Sequence, residues 1–293
     1  MFIIFIKCTV ALNLFYERRN WMTEEWLYID TGHQPASFNM AFDETLLNWV
    51  YQGRLKPILR FYGWRPAALS LGYFQKVQDR IDVAATKKHG FDIVRRPTGG
   101  LAVLHDNELT YSVVISESHP KMPSSITQAY RILSQGLLKG YQTLTISAEL
   151  AQPEKPLGKS GTAVCFEEPS WYELIIDGLK AAGSAQTRQK GVILQHGSIP
   201  LELDDNVLFE LFTYPNEKVR EQARKSFKDK AVTINQILDT PISLESVKAA
   251  FKKGFENELD ITLVPYEPDK ELLEEARQLA KEKYENLDYT FSR

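Results

Sequence analysis

The sequence predicts an α+β fold, that is, a mixed α/β architecture with mainly antiparallel sheets. Runs of strand pattern follow one another across short turns and are mixed with helical stretches, which favours antiparallel pairing. No Gly-x-Gly-x-x-Gly follows a strand pattern, so a doubly wound dinucleotide fold is disfavoured. A standard nucleotide phosphate loop ending in Gly-Lys-Ser/Thr is also missing.

The size and charge of the chain exclude several classes. Its 293 residues predict about two domains or one large domain with an appendage, and 43% hydrophobic residues argue against disorder. Lys and Arg number 35 against 38 Asp and Glu, a net charge of −3 that disfavours a dedicated nucleic-acid binder. Cys8 and Cys165 are too few for a disulfide framework. We expect no metal, no cofactor and a reducing cytoplasmic compartment.

The N-terminal stretch needs a separate interpretation. Residues 1–16 are mostly apolar but fall short of the roughly 20 apolar residues that span a bilayer. Arg18 and Arg19 follow this stretch, whereas the charges of a secretory signal precede it. Met22 then opens an ordinary pattern. We favour an upstream extension over 1–21 with Met22 as the working start; a membrane anchor is the alternative.

The elements of the first half follow from spacing and turn residues. Apolar residues such as Phe38, Phe42 and Leu46 recur at helical spacing after Ser37, which is a candidate N-cap. Strands and turns are bounded by Gly, Pro, Asp and Asn. The expected elements are a strand over 25–30, the helix after Ser37, a strand pair over 57–64 and 68–74, a helix over 81–89, and strands over 91–96, 101–105 and 108–116.

The second half changes from strands to helices. A long helix is predicted first, and a polar stretch that contains Pro and Gly then predicts a mobile loop. Asp177-Gly178 is a hairpin-turn signal, Ser243 can cap one helix and Asp269 starts the last. The expected elements are a helix over 124–144, the loop over 152–161, strands over 169–176, 180–186 and 192–203, mostly helices from 205, and a strand over 261–264.

The first candidate site is the run Arg95-Arg96-Pro97-Thr98-Gly99-Gly100 leading to His105-Asp106. It predicts a strand, a glycine turn and a return strand. Two glycines allow positive φ and close approach of the backbone to a ligand. The two arginines alternate faces, so one could reach an anionic group while the other stays solvated. A surface hairpin with a solvated arginine pair is the other interpretation.

The second candidate is Lys180, which follows the Asp177-Gly178 turn. Small residues follow it and leave room for a bound chain, to which the lysine could present one positive charge. An exposed hairpin lysine is the alternative.

The third candidate is Cys165, which has apolar neighbours. Such a cysteine is usually a small buried hydrophobe, and it is a nucleophile only if its thiolate is stabilised. At the ordinary pKa of about 8.5, only roughly 3% is thiolate at pH 7. A nearby ammonium such as that of Lys180 could raise this fraction.

Taken together and in this order, these segments resemble the biotin/lipoate protein ligase superfamily. The marks are Arg-Arg-x-x-Gly-Gly with His-Asp, Lys-x-x-Gly-Ser-Ala-Gln from Lys180 on, and Gln195-His196-Gly197-Ser198. Further strings resemble its octanoyltransferase branch, among them Phe61-Tyr62-Gly63-Trp64 and Cys165-Phe166 with Pro169-Ser170-Trp171-Tyr172-Glu173. The resemblance runs from about Trp26 to the C-terminus. It implies a catalytic domain over 22–240 and a small, mainly helical part over 241–293.

The resemblance also implies a role for each site residue. Cys165 would carry the acyl group as a thioester, and Lys180 would lower the pKa of its thiol. Arg96, Gly99, Gly100 and His105 would line the acyl pocket. Ser184 and Gln186 would shape the slot or contact the reacting carbonyl. Leu101 stands where relatives carry Gly or Arg, and His105-Asp106-Asn107 departs from the His-Asp-x-Gly-Asn run of the ligases.

The implied reaction moves an octanoyl group from octanoyl-acyl carrier protein to a lysine of a lipoyl domain, such as the glycine cleavage H protein. This is the first step of lipoate biosynthesis, with no nucleic acid and no membrane as partner. The alternatives are an ATP-dependent lipoate or biotin ligase, an amidotransferase between lipoyl domains, and a non-catalytic acyl-binding module. The basic run 218–230 is a candidate docking patch for the acidic partners, or a solvated helix face.

Overall fold

A computed structural model describes residues 23–77, 80–151, 173–238 and 240–292. The predicted extension 1–21, the loop 152–161 and Cys165 lie outside the described residues. The described strands are β1 Glu24–Gln34, β2 Ile58–Trp64, β3 Ala68–Leu71, β4 Asp92–Arg95, β5 Val103–His105, β6 Glu108–Ser116, β7 Glu149–Leu150, β8 Leu174–Ile176, β9 Leu179–Gln189, β10 Val192–Pro200 and β11 Ile261–Pro265. The helices are α1 Ala36–Tyr51, α2 Val83–Lys88, α3 Ile126–Thr143, α4 Asp205–Glu210, α5 Glu217–Phe227, α6 Ile234–Ile237, α7 Leu244–Leu259, α8 Lys270–Leu279 and α9 Leu287–Thr290, with a π-helix at Ala280–Tyr284 before α9.

Eight of the described strands form the main sheet, in the order β11-β1-β2-β6-β10-β9-β8-β7. β1 is parallel to both its neighbours, whereas the other pairs are antiparallel. Helices α3 and α7 cover one face with side chains such as Leu137 and Phe255. Helices α1 and α8 cover the other, where Leu46 and Leu272 pack together. The predicted α+β class is confirmed. Within the described part of the chain, none of the helices combines the length and apolar character needed to cross a bilayer.

A second sheet of three strands, β4-β3-β5, packs against α4 and α5 through residues such as Leu71 and Phe209. The predicted pairing of β2 with β3 is wrong, because β2 is buried along its whole length between β1 and β6. The predicted hairpin of β4 and β5 is also wrong. Both strands flank β3, β4 in parallel and β5 antiparallel, so residues 96–102 cross the end of β3. We call residues 96–102 the glycine turn.

Local capping rules account for most helix starts. The Ser243 hydroxyl accepts from the Ser246 amide at 3.1 Å, and the Asp269 carboxylate from the Leu272 amide at 2.9 Å, as the sequence predicts. The prediction for Ser37 is wrong, since the N-cap of α1 is Pro35, two residues earlier. Proline has no side-chain acceptor, and the first amide of the helix, that of Ala36, donates instead to Asp92 Oδ2 at 3.4 Å.

The C-terminal part shares the main sheet with the rest of the chain. β11 pairs with β1 at the sheet edge, and α7 packs closely on α3. Gly136 and Gly140 of α3 allow this approach, because a Cβ at either would lie 2.4–2.5 Å from Phe255 or Phe251. The division at residue 240 stays a prediction.

Candidate active site

Both arginines of the Arg95-Arg96 pair are buried, with 0% and 4% exposure. The expectation that one of them stays solvated is therefore wrong. Strand alternation does place them on opposite faces, but both faces of β4 are covered. Arg96 turns back into the glycine turn, where Nη2 donates to the carbonyls of Gly99 at 2.8 Å and Leu101 at 2.7 Å. The buried guanidinium of Arg96 thus holds the glycine turn in place.

The glycine turn rests on the end of β3. A Cβ at Gly72 would lie 1.8 Å from the carbonyl oxygen of Gly100, so only glycine fits at residue 72. Gly100 itself has φ +98, a conformation that other residues rarely adopt. The Tyr73 amide donates to the Thr98 carbonyl at 2.8 Å. Residues 72–75 and the glycine turn therefore form one packed unit.

His105 supports this unit from behind. Its ring stacks on Trp64 with centroids 4.0 Å apart, Nδ1 lies 2.7 Å from Glu108 Oε1, and Nε2 lies 2.8 Å from Ser70 Oγ. The same hydroxyl accepts from Arg96 Nη1 at 3.1 Å. Both ring nitrogens of His105 thus have protein partners, and the residue connects Glu108 to Arg96.

A second histidine, His196 of β10, contacts the glycine turn directly. Its Nε2 lies 2.6 Å from Thr98 Oγ1, and its Nδ1 lies 3.3 Å from Asp43 Oδ2. Arg60 donates to the Asp43 carboxylate at 2.7 Å. Burial alone would raise the pKa of Asp43, but Arg60 and His196 outweigh it and hold the pKa low. Burial lowers the pKa of His196 despite the carboxylate. A neutral His196 therefore donates from Nδ1 to Asp43 and accepts the Thr98 hydroxyl at Nε2.

Sequence reasoning missed Asp43 and treated His196 only as part of a strand. The signal for Asp43 was its position among Met40, Leu46 and Leu47 on the apolar face of α1, where a carboxylate needs a partner. The partner is distant in sequence, so its identity could not be inferred.

Lys180 is buried at 1% exposure, which excludes the exposed hairpin lysine. Its Nζ lies 2.8 Å from Oε1 of Glu173, which is 3% exposed. The backbone of Lys180 is also held, because its amide donates to the Lys230 carbonyl at 2.8 Å and its carbonyl accepts from the Val232 amide at 3.0 Å. Glu173 is a partner that the sequence analysis did not propose, although it lies in the quoted Trp171-Tyr172-Glu173 string.

Ser184 and Gln186 lie on the opposite face of the sheet from His196. Ser184 Oγ is 2.7 Å from the Tyr111 hydroxyl, and Gln186 Nε2 donates to Gln195 Oε1 at 2.9 Å. Gln195 and His196 are consecutive in β10, so their side chains point to opposite faces. The described contacts therefore bring Arg96, Gly99, Gly100 and His105 together, whereas Ser184 and Gln186 belong to a separate cluster with Tyr111.

Among the described contacts, three of the six basic side chains in the run 218–230 have acidic partners. Arg220 pairs with Glu217 at 2.7 Å, and Arg224 pairs with Glu221 at 2.7 Å and Asp205 at 3.2 Å. This arrangement favours the solvated helix face over the docking patch.

Comparison with known proteins identifies the class to which this fold and site belong. The lipoyl protein ligase A/B catalytic domain family matches residues 35–256, and the chain belongs to this family. It is similar to proteins named Octanoyltransferase LipM. The relative from Halalkalibacterium halodurans is 54% identical and the one from Bacillus subtilis 49%, each covering 92% of this chain and 99% of the relative. The resemblance drawn from the motifs is confirmed.

A solved structure extends the comparison to the fold. It belongs to an archaeal lipoylation system from Thermoplasma acidophilum, described as a bi-partite lipoate protein ligase and its E2 lipoyl domain. The likeness has a TM-score of 0.76 at 25% identity and covers 92% of this chain and 96% of that one.

The lowered pKa of His196 gives a prediction for stability against pH. The unfolded chain takes up a proton near pH 6.5 and the folded chain only at lower pH, so the free energy of unfolding falls as pH drops from 7 towards 5. Asp43 adds a further loss only at more acidic pH, below about 4. We expect His196→Gln to flatten the slope between pH 7 and 5 in urea denaturation. An unchanged slope in His196→Gln would contradict this assignment.

Proposed function

We propose that the protein is an acyltransferase that moves an octanoyl group from octanoyl-acyl carrier protein to a lysine of a lipoyl domain, with Cys165 carrying the group as a thioester. The observation that carries the proposal is the likeness to octanoyltransferases at up to 54% identity over 92% of the chain. The solved lipoate ligase is far more distant, at 25% identity. An ATP-dependent ligase is therefore the second candidate.

The energetics of the two candidates differ. A ligase begins with a free acid and needs ATP to activate it, whereas a thioester donor is already activated. Exchange of a thioester between two thiols has a reaction free energy near zero, and formation of the amide with lysine is thermodynamically favourable. A covalent intermediate on Cys165 would divide the transfer into two easier steps.

In the first step, the Cys165 thiolate attacks the carbonyl carbon of the octanoyl thioester, and the carrier's thiol leaves as thiolate and takes up a proton. In the second, the neutral amine of the acceptor lysine attacks the enzyme thioester; the amine loses a proton and Cys165 leaves as thiolate. The overall reaction consumes one thioester and forms one amide. Backbone amides near the glycine turn would stabilise the oxyanion of each tetrahedral intermediate.

Lys180 is proposed to favour the thiolate of Cys165. Support comes from its burial, which weakens screening by water; the Glu173 carboxylate, 2.8 Å away, compensates the ammonium and offsets part of its effect on the thiol. Glu173 lies eight positions after Cys165 in the sequence, so the ion pair adjoins the segment that bears the nucleophile. We therefore propose that Lys180 acts on Cys165 as one member of a buried ion pair with Glu173.

Arg96, Gly99, Gly100 and His105 are proposed to form the wall of the acyl pocket. Arg96 and His105 would act from behind that wall, because their donors and acceptors are occupied by the chain itself. Gly99 is half-buried and Gly100 is exposed, so the turn presents its backbone at these two residues, and no atom lies within 4 Å of a Cβ built at Gly99. Ser184 and Gln186 would shape the slot indirectly, through Tyr111 and the β9–β10 pairing.

The partners would be two acidic carrier domains in the cytoplasm, acyl carrier protein as donor and a protein such as glycine cleavage H protein as acceptor. The net charge of −3 provides no overall attraction to either. Binding of both partners would then rest on shape and local contacts at the site.

Intact-protein mass spectrometry tests the thioester directly. Mixing the enzyme with octanoyl-acyl carrier protein, without ATP or acceptor, is expected to add one octanoyl group that hydroxylamine removes. Cys165→Ser should abolish the adduct, and Cys8→Ser, the matched control in the full 293-residue chain, should retain it. Adding a lipoyl domain should then transfer the group to its lysine. An enzyme that acylates the lipoyl domain only with free octanoate and ATP is a ligase, and the proposal is then wrong.

The role of Lys180 predicts the reactivity of Cys165. Lys180→Ala is expected to slow alkylation of Cys165 by iodoacetamide at pH 7 on the order of tenfold, because the thiolate fraction falls when the ammonium is removed. Peptide mass spectrometry separates Cys165 from Cys8. Lys228→Ala removes a mostly exposed lysine and serves as the control. If Cys165 reacts equally fast in both variants, Lys180 does not stabilise the thiolate.

A further inference from the structure

Arg95, the first arginine of the pair, connects the glycine turn to the C-terminal end of the chain. Its guanidinium is fully buried. Nη1 lies 2.7 Å from the carbonyl oxygen of Gly72 and 2.8 Å from that of Gln75, while Nε donates to the carbonyl of Thr290 at 3.0 Å. One side chain therefore holds residues 72–75 and the last helix, α9, at the same time, although Arg95 and Thr290 are 195 positions apart.

The segment held by Arg95 supports the glycine turn. Gly72 packs against the Gly100 carbonyl without room for a Cβ, and the Tyr73 amide donates to Thr98. Because these contacts are direct, a shift of residues 72–75 must displace the turn or separate the two. The position of the Gly72 carbonyl thus depends on Arg95, and the position of the turn depends on Gly72.

Helix α9 is itself docked on the body of the protein. Thr290 is fully buried, Tyr289 packs edge-to-face on Tyr284 with centroids 5.6 Å apart, and Lys283 pairs with Glu44 of α1 at 2.7 Å. Asn286 is the N-cap of the helix, and its side chain accepts from the Asp288 amide at 2.8 Å. The Thr290 carbonyl is therefore presented to Arg95 by a docked helix.

We propose that α9 and Arg95 form a positioning element for acyl transfer, in which the C-terminal helix fixes residues 72–75 and through them the glycine turn. The inference rests on the proposed function, because the rate it concerns is that of thioester formation. Loss of the Thr290 carbonyl would remove the acceptor that holds Arg95 Nε, and the guanidinium would then shift from its present position. A displacement of the turn of about 1 Å can cost on the order of 100-fold in rate.

A double-mutant cycle on the rate of thioester formation tests this link. Asn286→Ala weakens the start of α9, deletion of 286–293 removes it, and Arg95→Lys keeps the charge but not the fork of donors. We expect Arg95→Lys and the deletion each to lower kcat at least tenfold, with KM for the octanoyl carrier within twofold, and Asn286→Ala to lower it less. In the Arg95→Lys background, both tail variants should have almost no further effect.

Two controls match these variants. Arg54→Lys alters an arginine that pairs with Glu271 of α8, away from the turn, and Leu287→Ala trims a side chain of α9 that is 57% exposed. Both should leave kcat within twofold. Melting temperatures show which variants are folded at the assay temperature. If the 286–293 deletion is unfolded, the cycle is completed with Arg95→Lys and Asn286→Ala alone.

The outcomes separate the inference from the proposed function. If the wild-type enzyme forms no thioester, the proposed function fails. If it does, but Arg95→Lys and Asn286→Ala multiply their effects or behave like the controls, the positioning role of α9 is wrong and the proposed function stands.

Discussion

The close approach of Gly72 to Gly100 is the constraint on which the candidate site depends. With no room for a Cβ between the end of β3 and the turn, the two backbones meet at a distance that only glycine permits. Arg96 holds the turn from its inner side and Arg95 holds residues 72–75. The turn is thereby preorganised before any substrate binds, which is the condition for backbone amides to stabilise a developing oxyanion.

Two histidines connect the glycine turn and its supports to the main sheet through hydrogen bonds. His105 connects Arg96 to Glu108 through Ser70, and His196 connects Thr98 to Asp43. Asp43 is paired with Arg60, while Arg96 and Glu108 have hydrogen-bond partners within the chain. Removing one member of such a network leaves its partner buried without a hydrogen bond, and that partner's desolvation cost then lowers the stability of the protein. The site and the stability of the core are therefore physically coupled.

The sequence predicted local structure well where the cause is local. The caps at Ser243 and Asp269, the Asp177-Gly178 turn with φ of +50 and +79, and the strand over 108–116 depend on neighbours in the chain. The hairpin failed because β4 and β5 both pair with β3, a long-range choice that turn residues do not encode.

The site was predicted in part. Four motif residues do lie together, namely Arg96, Gly99, Gly100 and His105. Strand alternation wrongly suggested that one arginine would be solvated, and no sequence signal indicated that α9 docks over Arg95. Asp43 and Glu173 were missed for a related reason. A buried charge requires a partner, but the sequence does not specify which residue that partner is. Cys165 lies outside the described residues, so its place in the site stays a prediction.

The free energy of unfolding and the octanoylation rate of Gly72→Ala, compared with Gly99→Ala, test the central constraint most directly. Gly72→Ala is expected to lose about 3 kcal/mol in denaturant unfolding and most of its octanoylation rate, because the new methyl would overlap the Gly100 carbonyl. Gly99→Ala, whose Cβ meets open space, should stay within about 0.5 kcal/mol of the wild type in stability. A Gly72→Ala protein with the stability and rate of the wild type would contradict the account.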